Sequence, residues 1–111
     1  MPIFITQGRY TREAVKGMID KPEDRAEALS RLMTKAGARL IGYYVTFGEY
    51  DFMTIVEAQS QTQVAAALFA AASRGGVTDL RTTVAMTSVE AKGVYAAAGD
   101  FAASLRTPGG V

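Results

Sequence analysis

A chain of 111 residues, 49% hydrophobic and 21% charged, suffices for one domain with its own core. Twelve Lys and Arg against eleven Asp and Glu leave a net charge of +1, which excludes the basic excess of a typical nucleic-acid binder. Cys and His are both absent, which excludes disulfides, thiolate chemistry and Cys- or His-ligated metal or haem; no cofactor is expected, and any chemistry falls to Tyr, Asp, Glu, Lys or Arg.

The opening MPIFITQGRY reads as a strand, not as a basic leader with a long apolar core. The strand runs from Pro2 to Gly8, where Gly8 is expected to end it. Thr11 suits an N-cap, with Glu13 in the first turn and Ala14, Val15, Met18 and Ile19 at helical spacing. A second start follows at Asp20-Lys21-Pro22-Glu23. Asp20 can cap, Pro22 suits a first turn, and Glu23 completes a capping box. The helical region should therefore bend near Pro22. Ala26, Leu29, Leu32, Met33 and Ala36 make one apolar stripe, and Gly37 is a natural stop.

The strongest hairpin signal comes next. Ile41, Tyr43, Tyr44, Val45 and Phe47 precede Gly48, and Phe52 to Val56 follow Asp51. β-branched and aromatic side chains fit a packed, pleated surface. Gly48 is expected to supply a positive φ, and Asp51 to accept hydrogen bonds from the hairpin amides. Ser60 and Gln63 form another capping box. Val64 to Ala72 is helical by propensity, and Arg74-Gly75-Gly76 stops it. Val77 to Met86 reads as the last strand. Ser88 to Leu105 is an extra segment in which Val94, Ala98, Phe101 and Leu105 recur at helical spacing; Gly93 and Gly99 are its weak points. Thr107 to Val111 should fray. The Ala-rich run is too short to span a bilayer, so a cytoplasmic protein is expected.

The order β-α-β-β-α-β is that of an α+β, ferredoxin-like domain with a four-stranded antiparallel sheet. Two helices would cover one sheet face, and the first and third strands are expected to lie adjacent and parallel. The domain should span 1–94, with 95–111 a helical extension and tail.

Strand alternation separates two faces. Phe4, Thr6, Leu40, Gly42, Tyr44, Phe52, Thr54, Val56, Leu80, Val84 and Met86 form a set suited to lie under helices. Ile3, Ile5, Ile41, Val45, Phe47, Met53, Ile55 and Val77 fall on the other face. An open apolar face of that size calls for a cover. A second copy of the chain is the expected cover, giving a homodimer with the C-terminal segment bracing the contact; the alternative is that this segment folds back over the face. Arg39, Glu57, Asp79 and Arg81 lie toward strand ends on that side, where they could rim a cavity between sheets. Tyr43, on the same side, could offer its hydroxyl to a ligand, with Tyr50 and Asp51 at the mouth and Arg9 a candidate for an anion. Each has a plainer role available: rim ion pairs for the charges, packing for the tyrosines, turn hydrogen bonds for Asp51.

The hairpin GYYVTFGEYDFMTIVEA resembles the GYD domain family, with Gly48, Tyr50 and Asp51 matching its name-giving residues. The opening MPIFITQGRYTREAVKGMID and the strand LRTTVAMT fit as well, so the resemblance covers Pro2 to Val94. It implies a ferredoxin-like, dimeric α/β-barrel type fold and no settled activity. The hairpin is also similar to the ligand-sensing domain of leucine-responsive-type regulators, which implies small-molecule binding between subunits. No helix-turn-helix module accompanies it, so DNA binding does not carry over. The leading functional expectation is a homodimeric small-molecule-binding or sensing module. The alternatives are a cofactor-free oxygenase, isomerase or cyclase using a cavity Tyr or acid, and a structural assembly subunit.

Overall fold

The computed structural model describes residues 1–109 and contains eight elements: β1 (Ile3–Tyr10), α1 (Arg12–Asp20), α2 (Arg25–Lys35), β2 (Arg39–Val45), β3 (Phe52–Glu57), α3 (Gln61–Ser73), β4 (Val77–Ala85) and α4 (Ser88–Ser104). The four strands make one sheet in the order β2-β3-β1-β4. β3 pairs antiparallel with β1 as well as with β2, and β1 pairs antiparallel with β4. The expectation of a parallel first and third strand is thus corrected. β1 and β2 are the parallel pair of the split βαβ unit, and β3 inserts between them.

The helix boundaries follow the caps. The Thr11 hydroxyl accepts from Ala14 N–H at 3.2 Å and starts α1. Asp24, not Asp20, caps α2, its carboxylate accepting from Ala26 N–H at 2.9 Å. Asp20 instead ends α1 and pairs with Lys16 at 3.0 Å. Pro22 lies in the break between the two helices, where its missing N–H costs no helical bond. Gly37 (φ +84) and Gly75 (φ +78) stop α2 and α3 in the left-handed region.

β1 passes through Gly8 and ends at Tyr10. Gly8 is there for close approach: a Cβ would stand 2.6 Å from Phe52 Cζ and 2.7 Å from Leu80 Cδ2. The apolar core sits toward the start of β1 and the end of β3. Phe4, Met33, Ala38, Val56, Ala58, Val64 and Ala67 are buried there between sheet, α2 and α3. Toward the other end, α1 buries none of its residues, and α3 presents small side chains such as Ala70 and Ala71. That half of the helix–sheet interface is left hollow.

Two irregularities redistribute side chains between the faces. The β2–β3 register shifts between Leu40 and Gly42, so Tyr43 pairs with Thr54, Tyr44 with Met53 and Val45 with Phe52. Tyr43 therefore joins the helix side and Tyr44 the open side, the reverse of simple alternation; one extra residue in a strand flips every side chain beyond it. The β1–β4 register shifts between Gln7 and Arg9, which sets Val77 opposite Tyr10 on the helix side. Asp79 takes up that shift with φ +53. Val45 is likewise removed from the open face, and Phe47 projects fully exposed from the loop.

The open face retains Ile3, Ile5, Met53 and Ile55, with Ile41 and Tyr44 about half exposed. α4 does not fold over it. The helix runs unbroken through Gly93 and Gly99, buries no residue, and extends the molecule to 65 × 29 × 22 Å. The 94/95 division read from the sequence falls inside this helix. Of the tail expected to fray, Gly110 and Val111 lie outside the described residues. Among the described residues no helix is long and apolar enough to cross a membrane.

Candidate functional site

The hollow half of the helix–sheet interface is a cavity of about 750 Å³, within the range of small-molecule sites. Its floor is the sheet: Tyr10 from β1, Tyr43 from β2, Phe52 and Thr54 from β3, Val77 and Leu80 from β4. Leu29 and Leu32 of α2, Leu68 of α3 and Met18 of α1 supply apolar walls. Lys21, Glu23, Arg25 and Arg74, all exposed, form its charged rim.

The polar groups on the floor are few. Phe52 holds two tyrosine rings, Tyr10 at 5.0 Å and Tyr43 at 6.1 Å between centroids, and their hydroxyls hydrogen-bond to each other. Burial, then the bond to Tyr43, pushes the Tyr10 hydroxyl well above its ordinary pKa. It is neutral at physiological pH and works as a hydrogen-bonding group, not as a base. Beside Tyr43 lies Thr54, 2% exposed. Its hydroxyl is the one buried side-chain polar atom without a hydrogen-bond partner among the described residues. The neighbouring Thr6 hydroxyl, by contrast, bonds to that of Thr82 at 2.9 Å. A buried hydroxyl left unpaired costs about 1–3 kcal/mol, and this one is sealed from the cavity as well as from water.

The residues singled out in the sequence do not gather at one point. Tyr43 reaches the cavity from the helix side, not from a space between sheets. Asp51 closes the β1 end: its Oδ2 accepts from Tyr10 N–H at 2.9 Å, and its own N–H donates to Gly8 O at 2.9 Å. Its carboxylate thereby bonds to β1 and not to the turn amides. Arg9 lies over the Tyr50 ring at 4.9 Å and donates to Glu49 O at 3.0 Å, and Asp79 stands 3.6 Å from Arg9. These contacts pin the loop from Thr46 to Asp51 against β1. Gly48 is not at positive φ, and a Cβ there would meet open space; the reversal is made by the loop as a whole, with Thr46 N–H donating to Asp51 O at 2.8 Å.

Arg39 and Glu57 do meet, as directly opposed residues with a 2.9 Å ion pair. Arg81 stands apart from them. It occupies the row of Gln7, Met53 and Tyr44, whereas Arg39 and Glu57 share the row of Ile3 and Ala85. Tyr10 and Thr54 went unrecognised as site residues in the sequence. The available signal was a hydroxyl in an otherwise apolar, helix-facing set; the void beneath the helices had no comparable signature.

A model of the GYD domain matches residues 4–95. A Thermus thermophilus protein named "Glutamine synthetase and cystathionine beta-lyase binding protein" is 35% identical over 77 residues, which span 69% of this chain and 81% of its own. Among solved structures, one from Thermus thermophilus is 16% identical with a TM-score of 0.47, over 79% of this chain and 96% of that one. A hypothetical protein of Pyrococcus horikoshii is 16% identical with a TM-score of 0.46, over 79% of this chain and 93% of that one.

Proposed function

The chain belongs to the GYD domain family, and from that premise and the hollow helix–sheet interface we propose that it is a homodimeric binding module that takes a small molecule under its helices and presents its surface to a partner protein. The observation that carries the ligand reading is the apolar cavity of about 750 Å³ between sheet and helices, with the paired Tyr10 and Tyr43 hydroxyls on its floor. A largely apolar cavity with a few convergent polar groups is the usual form of a small-molecule site. The neutral Tyr10 hydroxyl favours binding over proton abstraction. A protein partner is suggested by the relative named for binding two enzymes. The homodimer is suggested by the helix-free, part-exposed apolar face of the sheet.

The test is equilibrium dialysis of the purified protein against a fractionated small-molecule library, read by mass spectrometry. The wild type should retain a compound. Tyr43→Phe, which keeps the ring and removes one of the two hydroxyls on the floor, should retain it at least tenfold more weakly. Ala71→Trp, which fills the cavity from α3, should not retain it. A compound held equally by all three proteins would place binding elsewhere and overturn the reading.

A further inference from the structure

The charge around the cavity is one-sided. Three cations, Lys21, Arg25 and Arg74, share the rim with one carboxylate, Glu23. Glu23 is already paired with Arg25 at 2.7 Å, so these two cancel. Lys21 and Arg74 have no ion-pair partner among the described residues. Each sits at a helix C-cap, Lys21 on α1 and Arg74 on α3. The partial negative charge of a helix C-terminus amounts to roughly half a unit, and the N-terminus of α2, nearby at Arg25, offsets part of it. Two full positive charges therefore outweigh the helix ends, and the mouth is electropositive although the whole chain carries only +1. A charged mouth on a low-dielectric cleft concentrates ligands of opposite sign.

The interior imposes the second condition. Phe52 and the two tyrosine rings, tilted 33° and 40° to it, make an aromatic floor, and the leucines line the sides. Among the described residues the cations lining the cavity are the exposed rim residues Lys21, Arg25 and Arg74. Arg25 acts on Tyr10 through its field while paired with Glu23, so a small inorganic anion on the floor would find no free ion-pair partner there. We infer that the cavity selects organic anions, with an apolar body lying on the aromatic floor and a carboxylate or similar group held at the rim by Lys21 and Arg74. This rests on the reading of the cavity as a ligand site and adds to it the charge of the ligand.

The experiment compares two probes of one shape, 4-phenylbutanoate and its neutral amide, 4-phenylbutanamide, by ligand-observed NMR at low salt. The proteins are the full-length wild type, the double variant Lys21→Gln/Arg74→Gln and the cavity-filled Ala71→Trp, each checked for folding by circular dichroism. The carboxylate should bind the wild type at least tenfold more tightly than the amide. The double variant should bring the two within about twofold by weakening the carboxylate alone, and Ala71→Trp should lose both. If both probes bind equally and the double variant changes neither, the anion inference is overturned while the ligand site stands. If neither probe binds the wild type, or if Ala71→Trp binds both as well as the wild type does, the cavity reading falls and the inference with it. Relief of the preference by inorganic phosphate at equal ionic strength, with no role for the apolar body, would also overturn it.

Discussion

Asp51 shows how a residue can read as functional and act through structure. Its carboxylate takes the Tyr10 amide at the point where β1 outruns β3, so the terminal strand amide is paired. Asp51→Ala should lower stability by about 1–3 kcal/mol, the cost of stranding that donor. Asp51→Asn, which keeps an acceptor oxygen, should cost clearly less; thermal unfolding of the two variants measures the difference, and equal losses would show that charge, not the hydrogen bond, matters. The glycines separate in the same way. Gly8→Ala sets a Cβ against Phe52 and Leu80 and should destabilise by about 1–3 kcal/mol. Gly48→Ala enters open space at a φ that other residues adopt and should stay within about 0.5 kcal/mol of wild type.

At the scale of elements, what the sequence revealed and concealed has a physical pattern. Caps and stops were legible because their chemistry is local: Thr11, Gly37, Gln63 and Gly75 perform the roles that their types suggest. The strand shifts at Leu40–Gly42 and Gln7–Arg9 were not legible, because a bulge is decided by the neighbouring strand and leaves no periodic trace. The first of these alone moved Tyr43 from the open face into the cavity. Asp24 displaced Asp20 as a cap because Pro22 was satisfied equally well by a break as by a first turn. The start of α4 offers a test of local chemistry in isolation. Glu90 accepts from Thr87 N–H at 3.2 Å, and the Thr87 hydroxyl accepts from Glu90 N–H at 3.1 Å. The hydrogen bonds from Thr87 hold the Glu90 carboxyl below its ordinary pKa. A lowered carboxylate pKa contributes stability that is present above the unfolded value and lost as pH falls through the folded one. Helicity of α4, followed by circular dichroism, should therefore fall on acidification below about pH 4.5, and Glu90→Gln should remove that part of the pH dependence.

At the scale of the whole molecule, one chain leaves two apolar surfaces in water. The open sheet face carries Ile3, Ile5, Ile41, Met53 and Ile55, and α4 with its C-cap carries Val89, Tyr95, Phe101 and Leu105, each of these four at least 73% exposed. Each aliphatic side chain contributes about 1.5–3 kcal/mol when fully buried; Ile3, Ile5, Met53 and Ile55 are part-buried and Ile41 is about half exposed, so covering the face would add a share of that contribution. α4 cannot recover it within the chain, since it extends away from the sheet over about 25 Å at 1.5 Å per residue. A second copy can cover both surfaces at once: an isologous two-fold contact buries sheet on sheet, and a helix that reaches past its own domain can lie along its neighbour. The helix-side cavity is spared by this arrangement, because it opens on the opposite face of the sheet. Sedimentation at low micromolar concentration should give a dimer for the wild type. Ile55→Glu, which sets an unpaired charge at the centre of the contact, should yield unfolded or aggregated protein. A well-folded wild-type monomer under the same conditions would overturn the dimer, and the bare face would then have to serve the protein partner directly.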